Sequence, residues 1–210
     1  MTVDAERHRR PQYVLGHSWL GEFVAAATSS GLCALLLADE SADAEADLLR
    51  RFPSAVPQPD PTAAAEMRAC CVNLLDPISE APQPSLDPRG TDFQRRVWQA
   101  LASIGAGQMV SYRELARLIG QPSAVRAVAG ACAANPLAVV IPCHRVCRTD
   151  GGLGGYRWGL WRKCCLLGRE AALVGADQVR SKRCTPSGVA SSSASAGRQA
   201  NNPQVTTPTI

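Results

Sequence analysis

Short apolar runs separated by small polar residues open the chain. Between Tyr13 and Asp39 these runs are interrupted at Ser29-Ser30-Gly31, residue types that occupy tight turns between strands. The pattern predicts a hairpin of two strands with a third strand before it. The first expected element is therefore a small antiparallel sheet.

Two helices are predicted after this sheet. Residues 42–51 and 62–75 combine good helix formers with apolar positions at helical spacing. The Pro-rich connectors RFPSAVPQPDP and DPISEAPQPSLDPRG cannot continue either helix, because proline lacks the backbone N–H that a helix needs. The second connector predicts a domain boundary near residue 88.

Capping signals mark the helices of the second half. Residues 91–94 (TDFQ) and 111–114 (SYRE) both match a capping box, and the second predicted helix ends at Gly120. After a turn at Gln121-Pro122, residues 124–135 predict a third helix with Ser123 as its N-cap. Two short helices joined by a tight turn indicate a helix-turn-helix, although an ordinary helical hairpin fits the same pattern.

Small side chains form one face of this third predicted helix. They are Ala124, Ala127, Gly130 and Ala131, and Arg126 stands among them without an acidic neighbour in the same helix. Such a face suits close approach to a narrow groove, with the arginine reaching into it. Close packing of two helices inside a core is the alternative that the pattern leaves open.

The candidate chemistry lies between Asn135 and Cys147. An Asn-Pro break precedes the apolar run 137–141, which predicts a buried strand, and a proline stiffens the chain just before Cys143 and His144. Cysteine is nucleophilic as a thiolate, and a histidine within hydrogen-bond reach, directly or through one water, can accept the thiol proton. A buried structural cysteine next to a histidine is the alternative.

Such a histidine needs an orienting acceptor, usually a carboxylate. The carboxylates of the second half are Asp92, Glu114, Asp150 and Glu170. Glu170 ends a run of otherwise apolar and basic residues, which favours an inward-facing side chain. The glycine-dense loop at 149–159 carries Tyr156 and Trp158 and predicts a mobile wall for a planar ligand, with an ordinary surface loop as the alternative.

Charge is segregated along the chain, although the formal net charge is only +4. Residues 1–88 hold 6 basic and 13 acidic residues, residues 89–170 hold 12 and 4, and residues 171–210 hold 4 and 1. A basic middle region is typical of a protein that binds a polyanion such as nucleic acid, and also of a solvated basic face without a partner.

The pattern of cysteines and the composition of the two chain ends argue against several classes of protein. Nine cysteines include two adjacent pairs and no C-x-x-C, which argues against a disulfide framework and a zinc knuckle. The chain has no run of 18 apolar residues and no apolar segment behind the N-terminus, so the cytoplasm is the expected location. The last forty residues are rich in Ser, Ala, Thr, Pro and Asn, which predicts disorder.

Four stretches together carry a family resemblance. They read RGTDFQRRVWQAL, SYRELARLIG, AVRAVAGACAANPLAVVIPCHRV and DGGLGGYRWGLWRK. Over residues 90–170, and more weakly over 13–89, the chain resembles the O6-alkylguanine-DNA alkyltransferases. The phosphate-binding motif G-x-x-x-x-G-K-[ST] does not occur.

The resemblance implies an α/β plus all-α fold. A ribonuclease-H-like N-terminal domain with a small antiparallel sheet is expected at 13–88, and a helical, winged-helix-like catalytic and DNA-binding domain at 89–172. Residues 1–12 are then an N-terminal extension and residues 173–210 a disordered tail.

The resemblance also implies roles for individual residues. Cys143 would accept the alkyl group, His144 would act as base through water, and Glu170 would orient His144. Asn135 would support the thiol and its turn, while Tyr112 and Lys163 would help the guanine leave. The DNA-binding residues implied are Arg126, Tyr112, Ala127 and Gly130, with Arg126 filling the gap left by the flipped base. The pocket wall implied is Tyr156, Arg157 and Trp158.

The implied activity is direct-reversal DNA repair. An alkyl group passes irreversibly from O6-alkylguanine to Cys143, once per protein molecule, and O4-methylthymine is a candidate second substrate. The implied partner is double-stranded DNA, contacted in the minor groove with base flipping by a monomer, and no cofactor or metal is expected. A non-catalytic lesion-binding module and a cysteine hydrolase are the alternatives.

Overall fold

The computed structural model describes residues 10–76, 79 and 82–174. Its first part is a four-stranded sheet in the order β3-β2-β1-β4. Strands β1 (Gln12–Ser18), β2 (Gly21–Thr28) and β3 (Gly31–Ala38) are antiparallel neighbours, and β4 (Val56–Pro57) pairs with β1 in parallel. The predicted small antiparallel sheet, including the strand before the hairpin, is confirmed.

Glycine at the start of β3 allows the Pro-rich connector around Ser85 to approach the sheet. Gly31 has a φ of +137°, and a Cβ there would lie 2.2 Å from the carbonyl oxygen of Ser85. The backbone of Leu32 then donates to Ser85 at 2.8 Å and accepts from Asp87 at 2.8 Å. Residue 31 is therefore restricted to glycine by both its conformation and the close approach.

Two helices pack on this sheet. Helix α1 (Ser41–Arg51) buries Ala44 and Leu48. Helix α2 (Pro61–Leu74) starts at a proline, and the Asp60 side chain caps it by accepting from the backbone N–H of Thr62 at 2.8 Å. Both predicted helices are confirmed to within one residue at each end.

The second part of the chain is helical. It contains α3 (Asp92–Ala102), α4 (Tyr112–Leu118), α5 (Val125–Ala133) and α6 (Leu160–Val174), with a short parallel pair formed by β5 (Val110–Ser111) and β6 (Val146–Cys147). Both predicted capping boxes are present, at Thr91 with Gln94 and at Ser111 with Glu114. An α/β part followed by a helical part is therefore what the described residues form.

Two local expectations were wrong. Helix α5 begins behind Ala124 rather than Ser123, because the backbone N–H of Ala124 bonds to Gln121 in the preceding turn and the first helical bond runs from Val128 to Ala124. The run 137–141 is a tight turn rather than a strand, since the backbone N–H of Ile141 bonds back to Leu137 at 3.1 Å.

One residue of that turn nevertheless joins the sheet. Leu35 of β3 donates its backbone N–H to Pro136 and accepts from Ala138, both at 2.8 Å, in an isolated parallel bridge with Leu137. The outer edge of β3 is thus bonded to the segment that leads to Cys143. The sheet and the helical part share one continuous cluster of buried apolar residues.

No helix within the described ranges is long and apolar enough to cross a membrane. The predicted tail at 173–210 falls outside the described residues except for the backbone at the end of α6, and the extension at 1–12 is described only from residue 10.

Candidate active site

A one-turn 3₁₀ helix at Cys143–Arg145 presents the candidate nucleophile. The residue before it is Pro142, and the backbone N–H of Cys143 bonds to Ile141 at 2.8 Å. The Cys143 side chain is buried, with 6% of the residue exposed. The thiol therefore lies on a short, hydrogen-bonded turn below the surface.

Asn135 holds this turn in place from the end of α5. Its side-chain oxygen accepts from the backbone N–H of Leu137 at 2.9 Å, and its amide nitrogen donates to the carbonyl of Ile141 at 2.8 Å. The same amide nitrogen lies 3.3 Å from the Cys143 sulfur. Asn135 is fully buried, so its polar atoms are paired at the turn and the thiol.

Within the turn, Val139 adopts a φ of +66°. A β-branched residue rarely enters this left-handed region, and the conformation costs about 1–3 kcal/mol unless its surroundings hold it. The Asn135 hydrogen bonds and the bridge to Leu35 supply such a restraint on both sides of Val139. The turn before the thiol is thus held in a conformation that its own residues do not favour.

The surroundings of Cys143 raise the pKa of its thiol, so the resting thiol is protonated, but neighbouring groups limit this increase. Burial raises the pKa of Cys143 to about 11, while the Asn135 hydrogen bond and the positive charge of Lys163 act in the opposite direction. Cys132 is equally exposed, at 6%, but no amide among the described residues donates to its sulfur, and burial raises its pKa further. Cys143 is the easier of the two to ionise.

Next to the thiol, His144 and Glu170 form a buried pair. The His144 Nε2 lies 2.8 Å from Glu170 Oε1, and both side chains have 0% exposure. Burial lowers the pKa of His144 despite the neighbouring carboxylate, so the ring is neutral. With its proton on Nε2 facing Glu170, His144 has its lone pair on Nδ1, which is buried and bonds to no described residue. Nδ1 is therefore the nitrogen that can accept a proton.

Glu170 is fixed by three partners. Its Oε1 also accepts from Arg145 Nε at 3.0 Å and Nη2 at 2.7 Å, and its Oε2 accepts from the backbone N–H of Gly107 at 3.1 Å. Burial alone would raise the pKa of Glu170, but the hydrogen bonds from His144 and Arg145 outweigh it and lower the pKa to about 2. The carboxylate is therefore ionised and can hold only one orientation.

Acid should destabilise the protein through Glu170. Its folded pKa is about 2 against a usual 4.5, so its stabilisation is complete above pH 4.5 and is lost as the pH falls toward 2. The shift corresponds to on the order of 3 kcal/mol. We expect the free energy of unfolding in urea to fall between pH 5 and pH 3 by more in the parent protein than in Glu170→Gln. Parallel pH profiles for the two proteins would contradict this assignment.

Two further predicted residues lie around the thiol. Lys163 of α6 is fully buried, and its ammonium donates to the carbonyls of Val146, at 2.5 Å, and Leu153. Tyr112 is partly buried at the start of α4, where burial raises its pKa to about 12. Tyr112 thus keeps its proton at neutral pH and can donate it.

The glycine-rich loop places the aromatic rings of Tyr156 and Trp158 next to His144. Tyr156 meets the His144 ring edge-on with 6.4 Å between centroids, and Trp158 meets Tyr156 at 5.2 Å. The Tyr156 hydroxyl and the Trp158 indole N–H are buried and find no hydrogen-bond partner among the residues the structure describes. The two rings thus pack next to His144, and their role as the wall of a substrate pocket stays a prediction.

Arg157 differs from its predicted place in the pocket wall. Its guanidinium pairs with both carboxylate oxygens of Asp47 in α1, at 2.8 and 2.7 Å, and donates to the carbonyl of Ala133 at 3.3 Å. The alternation of side chains along the loop explains the difference, because the side chain between partly buried Tyr156 and buried Trp158 points away from them, toward α1.

The small face of α5 is divided between surface and core. Ala127 and Gly130 are exposed, and a Cβ on Gly130 would meet nothing within 4 Å. Arg126 is also exposed and makes no ion pair with the described residues. Ala131, in contrast, is buried at 2% and its carbonyl accepts from the Trp98 indole at 2.9 Å. Packing inside the core is therefore confirmed for Ala131, while the approach of the exposed residues to a groove stays a prediction.

Arg145 and Gly107 were missed by sequence reasoning. A buried carboxylate such as Glu170 needs a cation beside it. Because Arg145 directly follows the Cys-His pair, its position in the motif could have suggested this role. The backbone N–H of Gly107 lies 63 positions from Glu170 and gave no sequence signal.

Comparisons with known proteins find relatives of this chain. The family described as 6-O-methylguanine DNA methyltransferase, DNA binding domain, matches residues 92–172. The bifunctional transcriptional activator/DNA repair enzyme Ada of Escherichia coli is 48% identical over 161 residues, which cover 76% of this chain and 45% of Ada. The methylated-DNA–protein-cysteine methyltransferase of Mycobacterium bovis is 51% identical over 92 residues, covering 44% of this chain and 56% of the relative. The chain thus spans less than half the length of Ada.

Solved structures show the same similarity. A crystal structure of Mycobacterium tuberculosis OGT in complex with DNA has a TM-score of 0.63 and 34% identity, and the match covers 80% of this chain and 98% of that chain. An O6-methylguanine-DNA methyltransferase from Pyrococcus kodakaraensis has a TM-score of 0.56 at 21% identity, which shows similarity of fold alone.

Proposed function

Since the chain belongs to the family of methylated-DNA–protein-cysteine methyltransferases, the O6-alkylguanine-DNA alkyltransferases, we propose that it repairs DNA by direct reversal. It transfers the alkyl group of O6-alkylguanine to Cys143, and O4-methylthymine is a second candidate substrate. The observation that carries the proposal is the buried pair formed by His144, on the turn that presents the thiol, and Glu170 of α6.

The first step activates Cys143. The thiol proton passes to His144 Nδ1 through water, and Glu170 stabilises the imidazolium that forms while holding the ring in one orientation. The amide of Asn135 and the charge of Lys163 stabilise the thiolate. Since burial keeps the thiol protonated at rest, the nucleophile forms when the substrate is bound.

The second step is an in-line displacement at carbon. A sulfur–carbon bond forms as the carbon–oxygen bond to guanine breaks, and the electron pair stays on the purine. Tyr112 donates its proton to the departing base, which leaves as neutral guanine, and Lys163 offsets the negative charge that remains on the tyrosine oxygen. The product is a thioether without an electrophilic carbonyl, so water does not restore the thiol and each molecule reacts once.

The proposed partner is double-stranded DNA with an alkylated base, bound by a monomer. The target atom is inaccessible within the stack, so the base has to flip into the pocket beside Tyr156 and Trp158. The exposed Ala127 and Gly130 let α5 approach the minor groove, and Arg126 fills the gap left by the base.

The finer description of the fold is also a proposal. The sheet-bearing part at 13–88 is ribonuclease-H-like, and the part at 89–172 is winged-helix-like, with β5 and β6 beside the helices α4 and α5. The proposed place of action is the cytoplasm, where thiols such as Cys143 stay reduced.

The experiment that tests the proposed function is intact mass spectrometry. The protein is incubated with a duplex oligonucleotide that contains one O6-methylguanine, and the modified peptide is then mapped. We expect one methyl group per molecule, located on Cys143, and restored guanine in the DNA. An unmodified protein that still binds the lesion would overturn the proposal in favour of a lesion-binding module, and repeated turnover would also overturn it.

Replacing Arg126 should impair the flipping of the damaged base out of duplex DNA without affecting the alkyl-transfer step itself. We expect Arg126→Ala to slow methyl transfer from duplex DNA about tenfold, because the flipped state loses the side chain that stabilises it. Reaction with the free base O6-benzylguanine should stay at the parent rate, since that substrate is never flipped. Arg68→Ala, on the exposed side of α2, is the matched control, because it removes one positive charge at a different place and should leave both rates unchanged. Equal losses on both substrates would remove the assignment.

A further inference from the structure

Asp47 of α1 forms an ion pair with the pocket loop across the boundary between the two parts. Its two carboxylate oxygens lie 2.8 and 2.7 Å from one nitrogen of Arg157. The two side chains are only 18% and 29% exposed. The residues are 110 positions apart, so the pair connects the sheet-bearing part to the loop that follows the active-site turn.

The same carboxylate also organises contacts with the end of α5. Arg51 Nε lies 3.7 Å from Asp47, and Arg51 Nη1 donates to the carbonyl of Ala134 at 3.2 Å. Arg157 donates to the neighbouring carbonyl of Ala133 at 3.3 Å. The last carbonyls of a helix lack partners within the helix, and two arginines held by Asp47 supply them here.

Both contacts end one residue away from a group of the active site. Ala134 directly precedes Asn135, whose amide reaches the Cys143 sulfur at 3.3 Å. Arg157 directly follows Tyr156, whose ring meets His144. The chain on the other side of Arg157 is held as well, because buried Arg162 donates to the carbonyl of Trp158 at 2.7 Å.

From this arrangement we propose that Asp47 is a positioning residue for alkyl transfer. Acting through Arg157 and Arg51, it fixes the distance between the aromatic wall at Tyr156 and the thiol support at Asn135. The inference rests on the proposed function and adds to it a role for the sheet-bearing part in the chemical step.

Charge and exposure at Asp47 fit this role. Burial would raise the pKa of Asp47, but the hydrogen bond and charge of Arg157 lower it, so the carboxylate is ionised at neutral pH. An ion pair that remains partly exposed to solvent adds little to the stability of the folded protein. Its loss should therefore be visible in the alignment of reacting groups and not in the stability of the protein.

The test is single-turnover kinetics with the full chain and duplex DNA containing O6-methylguanine. In Asp47→Asn we expect the maximal rate of Cys143 methylation to fall about tenfold, because a small displacement of reacting groups is costly. The dissociation constant for the same DNA should stay within about twofold of the parent, since the change adds no DNA contact and removes none. Asp43→Asn, an exposed acid on the same helix, is the matched control and should react at the parent rate.

A double-mutant cycle makes the test specific to the pair. If Asp47 acts through Arg157, the double variant Asp47→Asn with Arg157→Gln should be no slower than the slower single variant. The inference is overturned by a parent-like rate in Asp47→Asn, by additive losses in the double variant, or by a fall in thermal midpoint that accounts for the lost rate. A parent protein that is not methylated at all would instead overturn the proposed function.

Discussion

Cys143→Ala is expected to abolish methylation of the protein and to leave lesion binding intact. The thiol is the only part of the proposed machinery that forms a bond to the alkyl group, so no neighbouring group can replace it. Alanine fits the buried site of Cys143 and leaves the Asn135 bonds to Leu137 and Ile141 unchanged. Intact mass after exposure to O6-methylguanine duplex measures the first effect, and a DNA binding titration measures the second.

Cys132→Ala is the matched control for this variant. The two thiols are equally exposed, but only the Cys143 sulfur lies beside an amide donor and on the 3₁₀ turn. We expect Cys132→Ala to accept one methyl group as the parent does. A methylated Cys143→Ala protein would show that another cysteine is the acceptor.

Glu170→Gln is expected to cost both stability and rate. The substitution keeps the shape of the side chain but removes the charge that faces His144 and Arg145. Breaking a buried ion pair by removing one partner costs about 3–5 kcal/mol, because the other charge stays buried and uncompensated. Unfolding in urea at neutral pH measures this loss.

The expected loss of methylation rate in Glu170→Gln follows from the changed protonation of His144. A glutamine can donate to Nε2 as well as accept from it, so His144 is no longer held with its lone pair on Nδ1. We expect methylation of Cys143 to slow by about a hundredfold or more. Rates are compared at a temperature and urea concentration at which both proteins are folded.

Glu66→Gln provides the comparison for Glu170→Gln. Glu66 is exposed on α2 and forms no ion pair with the described residues, so its loss should change neither stability nor rate. A folded Glu170→Gln protein that reacts at the parent rate would show that the carboxylate stabilises the fold without orienting the base.

Signals that act over a few residues were predictable from the sequence. The capping boxes at Thr91 and Ser111 formed as expected, because a side chain and the backbone three residues away meet whenever a helix starts there. The Cys143-His144 pair was predictable because the two residues are adjacent in the chain. Glu170 was predictable as inward-facing because its helix carries no other acid near it.

The turn before Cys143 shows the limit of local pattern. An apolar run at 137–141 favours a strand, and its residues are indeed buried or nearly so. The Asn135 side chain, however, bonds to both ends of the run and folds it into a turn, with Val139 at a positive φ. A side chain outside the run decided its conformation, and periodicity carries no information about such a bond.

The sequence by itself determined the first three strands and the six long helices, the candidate thiol with its neighbouring histidine, and the family to which the chain belongs. Only the tertiary structure decided which charges meet: Arg145 with Glu170, and Arg157 with Asp47 rather than with the pocket. The physical reason is that an ion pair depends on where two distant segments lie in space. Helix caps and sequence motifs, in contrast, depend on residues within about one helical turn of each other. Their geometry is therefore set by the local sequence and not by the packing of distant segments.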